Sequence, residues 1–170
     1  KAIEEARGII GTNPDIGDAH YFLAQMLEKG GKFDEAIESF KETLLKARSL
    51  CYSHPEAGGA SGIYIARLLQ QWGIEREINA KTRFPPPAGL CAQLLLTGEA
   101  ELAIQQKSEL LQVEGIDIVG PLPGDLNFVT HFVAGVDTQG THPALAKAFI
   151  DLLVSPEAKA LFRDKGLDPA

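Results

Sequence analysis

Residues 49–63 read Ser49-Leu50-Cys51-Tyr52-Ser53-His54-Pro55-Glu56-Ala57-Gly58-Gly59-Ala60-Ser61-Gly62-Ile63. An apolar triplet, a polar turn with Pro55 and a glycine-rich run lead into a helical pattern, which predicts a strand–loop–helix unit. Leu50-Cys51-Tyr52 is the short buried strand. Ile63, Leu68, Leu69 and Trp72 form the packing face of a helix over 63–72. Glycines let backbone amides approach a ligand closely, and a helix N-terminus offers unpaired N–H groups and a dipole that favours anions. Ser61 adds a hydroxyl donor. The loop Gly58–Gly62 therefore reads either as an anion-binding turn or as a plain strand-to-helix connection. Its spacing matches neither the Lys-bearing phosphate loop nor the dinucleotide fingerprint.

Downstream, strand and helix patterns alternate. Thr82-Arg83-Phe84 is a weak strand before Pro85-Pro86-Pro87, and residues 90–96 are a helix ending at Gly98. Leu102-Ala103-Ile104 is a strand, 108–111 a short helix, Ile116-Asp117-Ile118-Val119 a strand and 128–136 an extended run. Helices over 143–154 and 156–165 close the chain, the second with Ser155 as N-cap and Pro156 at its first position. This alternation predicts an α/β layer architecture with a mainly parallel sheet. Residues 1–47 read differently. Helices over 1–10, 18–28 (with Asp18 as N-cap) and from Asp34 onward are separated by Asn13-Pro14-Asp15 and Gly30-Gly31. The last two form an antiparallel helical hairpin.

Composition bounds the function. The chain has 170 residues, 45% hydrophobic and 23% charged, which is ordinary for one globular domain or two small ones. That length buries a core without metals or disulfides. A formal net charge of −7 gives nucleic acid no electrostatic help, so no such partner is expected. No apolar run approaches the roughly 18 residues of a membrane span. Cys51 and Cys91 match no metal spacing and are expected as two buried thiols, with one disulfide as the alternative. The chain opens at Lys1 and shows no signal-peptide pattern, which predicts a processed, trimmed or partial polypeptide.

The catalytic inventory is sparse. His20, His54, His131 and His142 are scattered, and His54 and His142 precede prolines, where turn duty is expected. No nucleophile elbow, zinc-binding helix or clustered metal pattern occurs. Glu99, Glu101, Glu109 and Asp117 fall among surface positions. Gln105-Gln106 ends a strand, where open α/β folds place ligand sites, though the pair could equally just terminate it. The chain is expected to be a binder without enzymatic activity, cofactor or metal.

Two resemblances extend this reading. Ala19-His20-Tyr21-Phe22-Leu23-Ala24 and Gly31-Lys32-Phe33-Asp34-Glu35-Ala36-Ile37 resemble a tetratricopeptide repeat, with His20 where the repeat usually has Trp. Ala2-Ile3-Glu4-Glu5-Ala6 and the turn after it resemble the end of a preceding repeat. Residues 48–170 resemble a periplasmic-type solute-binding protein, in the branch that includes the molybdate-binding proteins of ABC transporters. The carrying segments are Tyr52–Pro55 with Gly58–Tyr64, Leu95–Gln106, Gly120–Pro123, Ala148–Leu153 with Ser155–Ala158, and Lys165–Pro169.

This second resemblance implies a partial type II periplasmic-binding-protein fold, without the family's N-terminal half-lobe, behind the all-α hairpin. It implies residues 1–46 as the tetratricopeptide-like segment and 47–170 as the α/β domain, with the boundary between 31 and 48. It also implies a small oxyanion such as molybdate, held by neutral donors at Gly59, Ala60, Ser61, Gly62, Ala88 and Gln106, the last standing where the molybdate proteins have a tyrosine. Delivery to a membrane permease of an ABC transporter and a periplasmic or extracytoplasmic location follow from the same likeness. The alternative is a protein-interaction module using His20, Phe22 and Gln25 of the hairpin. In the family, the closing stripe of Leu145, Ala148, Phe149, Leu152, Leu153 and Leu161 packs on the first-lobe sheet. Here the hairpin is its expected substitute, with Phe40 and Leu44 packing near the closing helices or the second-lobe sheet.

Overall fold

Three helices occupy the first 46 residues: α1 (Ala2–Thr12), α2 (Gly17–Lys29) and α3 (Phe33–Lys46). The computed structural model of the chain describes residues 1–13, 17–57 and 59–169. Pro14 and Asp15 of the expected turn, the Asp18 side chain and Gly58 lie outside the described residues. Ala6, Leu23, Leu27 and Ala36 close the hairpin core, and the two alanines let the helix backbones approach. Gly31 supplies the left-handed residue (φ 72°) that ends α2, and Lys32 N–H donates back to the Leu27 carbonyl at 2.9 Å.

One turn further along α3, the side chains serve a different core. Phe40 and Leu44 pack with Leu50, Tyr52, Ile65, Leu69 and Ile78. They therefore meet the sheet, as one of the two expectations had it, and not the closing helices. Lys81 strengthens this joint: its ammonium donates to the Leu45 and Ala47 carbonyls at 2.6 and 2.7 Å, closing the C-terminal end of α3.

The sheet has two strands, β1 (Leu50–Tyr52) and β2 (Leu102–Ile104), paired in parallel with Cys51 opposite Ala103. Alternation along the strands divides the core. Leu50, Tyr52, Leu102 and Ile104 face the cluster shared with α3, α4 (Ala60–Gln71) and α5 (Glu75–Ala80). Cys51 and Ala103 face the other side, against Ala100 and Cys91, the first residue of α6 (Cys91–Leu96). The expected strand at 82–84 reduces to a bridge between Thr82 and Leu50. Arg83 N–H donates to the Leu50 carbonyl at 2.7 Å, and the prolines that follow have no N–H with which to continue the ladder.

Two other expected strands are absent. Within 116–128, three backbone groups are engaged by side chains instead. Gln25 Nε2 donates to the Val119 carbonyl, Gly124 N–H donates to Glu28 Oε1 at 3.1 Å, and the Tyr64 hydroxyl donates to the Leu126 carbonyl at 3.0 Å. Residues 128–136 join no strand among the described residues, and Val133 is 94% exposed. The fold is α/β, helix-rich, with a small parallel sheet.

The closing helices α8 (Pro143–Leu153) and α9 (Pro156–Asp164) meet at Ser155, whose hydroxyl accepts the Ala158 N–H at 3.2 Å. Neither helix buries a residue, and Leu145, Phe149, Leu152 and Leu161 are each more than half exposed. The hairpin does not cover this stripe: Phe40 and Leu44 of α3 pack on the sheet instead. Fully burying one such side chain is worth about 1.5–3 kcal/mol, so several kcal/mol of burial remain unused. Replacing Phe149 and Leu152 together by Glu should reduce dye binding and concentration-dependent association, with unfolding free energy changed by no more than about 0.5 kcal/mol. A loss of several kcal/mol in chemical denaturation would show instead that these side chains are core.

Candidate functional site

Parallel pairing puts the C-terminal ends of β1 and β2 side by side, and each strand hands over to polar residues there. Ser53 follows β1 and Gln105 follows β2. The Gln105 amide bridges two elements: its Oε1 accepts the Cys91 N–H at 2.8 Å, and its Nε2 donates to Ser53 Oγ at 3.4 Å. Around them lies a cavity of about 150 Å³. Ser53, His54, Ala57 and Gly59 form its first wall, Pro85 to Gly89 its second, and Gln105 and Glu109 its edge. No Lys or Arg lines it.

Of the site residues expected from the sequence, Gly59 and Ala88 line the cavity. Ala60, Ser61 and Gly62 form the first turn of α4 beside Gly59, the N-cap. No side chain caps that turn and no acidic residue lies in it, so it offers amide donors with no carboxylate competing. Gly62 also has a packing duty. A methyl group on it would lie 2.2 Å from the Ser53 carbonyl oxygen, so the bare Cα is what lets α4 seat against the end of β1. Ala88 holds a left-handed conformation (φ 59°), which costs a non-glycine residue energy and turns the proline loop over the cavity. Gln106 does not join this group. It is the N-cap of α7 (Lys107–Leu110), and its N–H donates to Glu109 Oε2 at 3.3 Å.

Sequence reasoning placed His54 in a turn and Glu109 on the surface, yet both line the cavity. The signal available was position, since strand-end residues and the helix start after β2 converge wherever parallel strands pair. The His54 Nδ1 accepts the Glu56 N–H at 3.2 Å, leaving Nε2 to carry the proton of the neutral ring. The Phe84 ring lies 4.5 Å from the imidazole and braces it. Among the described residues no three His, Cys, Asp or Glu side chains converge as a metal site would require.

A second concavity of about 390 Å³ lies on the hairpin between Arg7, Leu27, Asp34 and Glu38. Its floor is the hairpin core, and Arg7, Glu35 and Glu38 on it are engaged in Arg7–Glu35, Lys32–Glu35 and Lys41–Glu38 pairs. Of the hairpin side chains expected to meet a partner, His20 is buried and Gln25 is engaged by Tyr21 and Val119, while Phe22 is 45% exposed.

Residues 19–168 match the family described as bacterial extracellular solute-binding protein. The chain belongs to that family. The match begins inside α2, so α3 and its joint with β1 fall within it. The family's description as extracellular carries an extracytoplasmic setting. Among curated relatives, an aconitate isomerase of a Pseudomonas species is 34% identical over 158 residues, covering 91% of this chain and 58% of the relative. The molybdate-binding protein of Escherichia coli strain K12 is 28% identical over 124 residues, covering 73% of this chain and 48% of the relative. The solute-binding chain thus spans about half the length of the curated relatives it matches. No solved structure gives a significant match.

These relatives correct one expectation. The reading of the chain as a binder without enzymatic activity does not stand, because a relative matching nine-tenths of it is named an enzyme. An isomerase of that kind need not carry a motif that composition or spacing would reveal. Moving a proton within a bound molecule needs a snug pocket and one or two acid–base groups, with no triad or clustered ligand set to read in sequence.

The glycine and alanine positions give a direct test of this geometry. Gly62→Ala should lower unfolding free energy by about 1–3 kcal/mol, because the methyl group meets backbone and not a movable side chain. Ala88→Gly should cost nothing, although the extra freedom of an unfolded glycine ordinarily costs about 0.4–1 kcal/mol, since relief of the left-handed backbone offsets it. Urea denaturation of both variants measures the two effects.

Proposed function

We propose that the β1–α4 loop and the proline loop are the two walls of a site for a small polycarboxylate anion in an extracytoplasmic solute-binding protein. One observation carries the reading. The Gln105 amide and Ser53 hydroxyl stand at the strand ends, next to the uncapped first turn of α4, in a cavity whose one charged lining residue is Glu109 and which no lysine or arginine lines. Such donors select an anion by hydrogen-bond geometry and cavity size, so the net charge of −7 is no obstacle to binding. The stronger of the two curated matches favours a carboxylate; the weaker one favours a tetrahedral oxyanion such as molybdate. Delivery of the solute to a membrane permease of an ABC transporter belongs to the same proposal.

Calorimetry with aconitate, citrate, molybdate and sulfate tests the site. Aconitate or citrate should bind more tightly than the tetrahedral anions. Ser61→Ala and Ser53→Ala should each weaken binding several-fold, about 1 kcal/mol per hydroxyl lost. Tight molybdate binding with silence for the carboxylates would replace the polycarboxylate by an oxyanion. Silence for all four with the fold intact would remove the site.

His54 and Glu109 favour a second reading, in which the bound anion is isomerised. In an unsaturated polycarboxylate, a base removes a proton from the saturated carbon beside the double bond, the double bond shifts, and a proton returns at the far carbon. Nothing is oxidised or reduced, and the formula is unchanged. Glu109 fits the base, and His54, held by Glu56 N–H and Phe84, fits the proton donor through Nε2. Glu109→Gln or His54→Gln should slow cis–trans interconversion of aconitate, followed by proton NMR, by about 10²-fold or more, while affinity changes only a few-fold. Equal loss of rate and affinity would make both residues binding groups only.

A further inference from the structure

Directly behind the cavity lie the chain's two cysteines. Cys51 is the middle residue of β1 and Cys91 the first of α6, both wholly buried and packed in one cluster with Ala100 and Ala103. Both are free thiols buried side by side in that cluster. Each is covalently close to a cavity wall: Cys51 is two residues from Ser53, and the Cys91 N–H is held by Gln105 Oε1 at 2.8 Å. The segment between them, about 40 residues, carries α4, α5 and the proline loop, and so includes both walls of the cavity.

We propose that Cys51 and Cys91 are a disulfide-forming pair, oxidised as the chain folds outside the cytoplasm, and that the bond ties the cavity walls together. The extracytoplasmic setting of the family supplies the oxidising conditions under which such a pair closes. The step balances with a small-molecule disulfide such as oxidised glutathione as oxidant. One cysteine thiolate attacks it, releases one small thiol and leaves a mixed disulfide. The second cysteine thiolate attacks the protein-bound sulfur, the Cys51–Cys91 bond forms and a second small thiol leaves. The two cysteine thiols are oxidised by two electrons, and their two protons end on the two released thiols.

Burial fixes when this happens. In the folded chain the contact with Cys51 and the loss of solvent push the Cys91 thiol far above its ordinary range, so thiolate is scarce and oxidants cannot reach it. The bond therefore forms during folding, before the cluster closes, and a chain folded under reduction stays reduced.

Refolding the full chain from denaturant in oxidised and reduced glutathione, then alkylating in denaturant and mapping peptides without reduction, tests this. A peptide containing Cys51 should be linked to one containing Cys91, with the mass of two hydrogens lost. The linked chain should melt about 10 °C above the same chain kept in dithiothreitol. A Cys51→Ala, Cys91→Ala double variant should show no such dependence on reductant. Recovery of both cysteines alkylated after oxidative refolding, or a linked chain that melts no higher than the reduced one, would overturn the proposal. The effect on the cavity rests on the anion-binding reading, with binding several-fold tighter when the bond is closed. Anion silence in both forms counts against that reading alone, since the peptide map decides the bond without any ligand.

Discussion

The fold hangs on three residues. Leu50, Cys51 and Tyr52 are each buried to within about one per cent of full enclosure, and the period-two geometry of a strand sends them to opposite faces. Leu50 and Tyr52 collect α3, α4 and α5 on one side, while Cys51 collects the start of α6 on the other. A strand enclosed on both faces cannot shift register by one residue without exchanging its whole set of partners. That constraint fixes β2 opposite it and so fixes where both strands end.

The site follows from those ends. Ser53 and Gln105 stand where parallel strands give way to loops, and Gln105 ties β1, β2 and α6 together through two hydrogen bonds. Gly62 lets α4 lean on the Ser53 backbone, so the positive end of that helix reaches the strand end and not open solvent. The strained Ala88 turns the proline loop across the top. Each part has a packing reason, and together they leave a small cavity, with Ser53 and Gln105 on it, beside a dry core. Neighbouring positions divide cleanly between the two environments: Cys51 and Tyr52 are sealed, while Ser53 faces the cavity.

The closing helices show the opposite balance. Their apolar stripe is real, but α3 directs Phe40 and Leu44 to the sheet, and Phe149 and Leu152 stay more than half exposed. A helix pair held mainly by local hydrogen bonds and its Ser155 cap is positioned by its connection more than by its packing. The family match runs through this region to residue 168.

Helices over 33–46, 143–153 and 156–164, the β1 triplet and the glycine-led start of α4 were legible in the sequence, because each depends on short-range periodicity, capping or glycine chemistry. The resemblance to solute-binding proteins rested on the same local strings. What local pattern could not supply was pairing. Residues 116–119 and 128–136 have strand-like composition, but whether such a segment joins a sheet depends on a partner arriving from elsewhere in the chain; side chains of Gln25, Glu28 and Tyr64 took some of those backbone groups instead. Gln105 and Gln106 are adjacent and chemically identical, and alternation about the end of β2 alone decided which one reaches Ser53. His54, Glu109 and Gln105 are separated by up to 55 positions in sequence, and only the parallel register of β1 on β2 brings them to one cavity. The sequence determined which residues could make strands, turns and helix starts. Tertiary structure decided which of them meet, because hydrogen bonds and burial between distant segments are fixed by register and not by local composition.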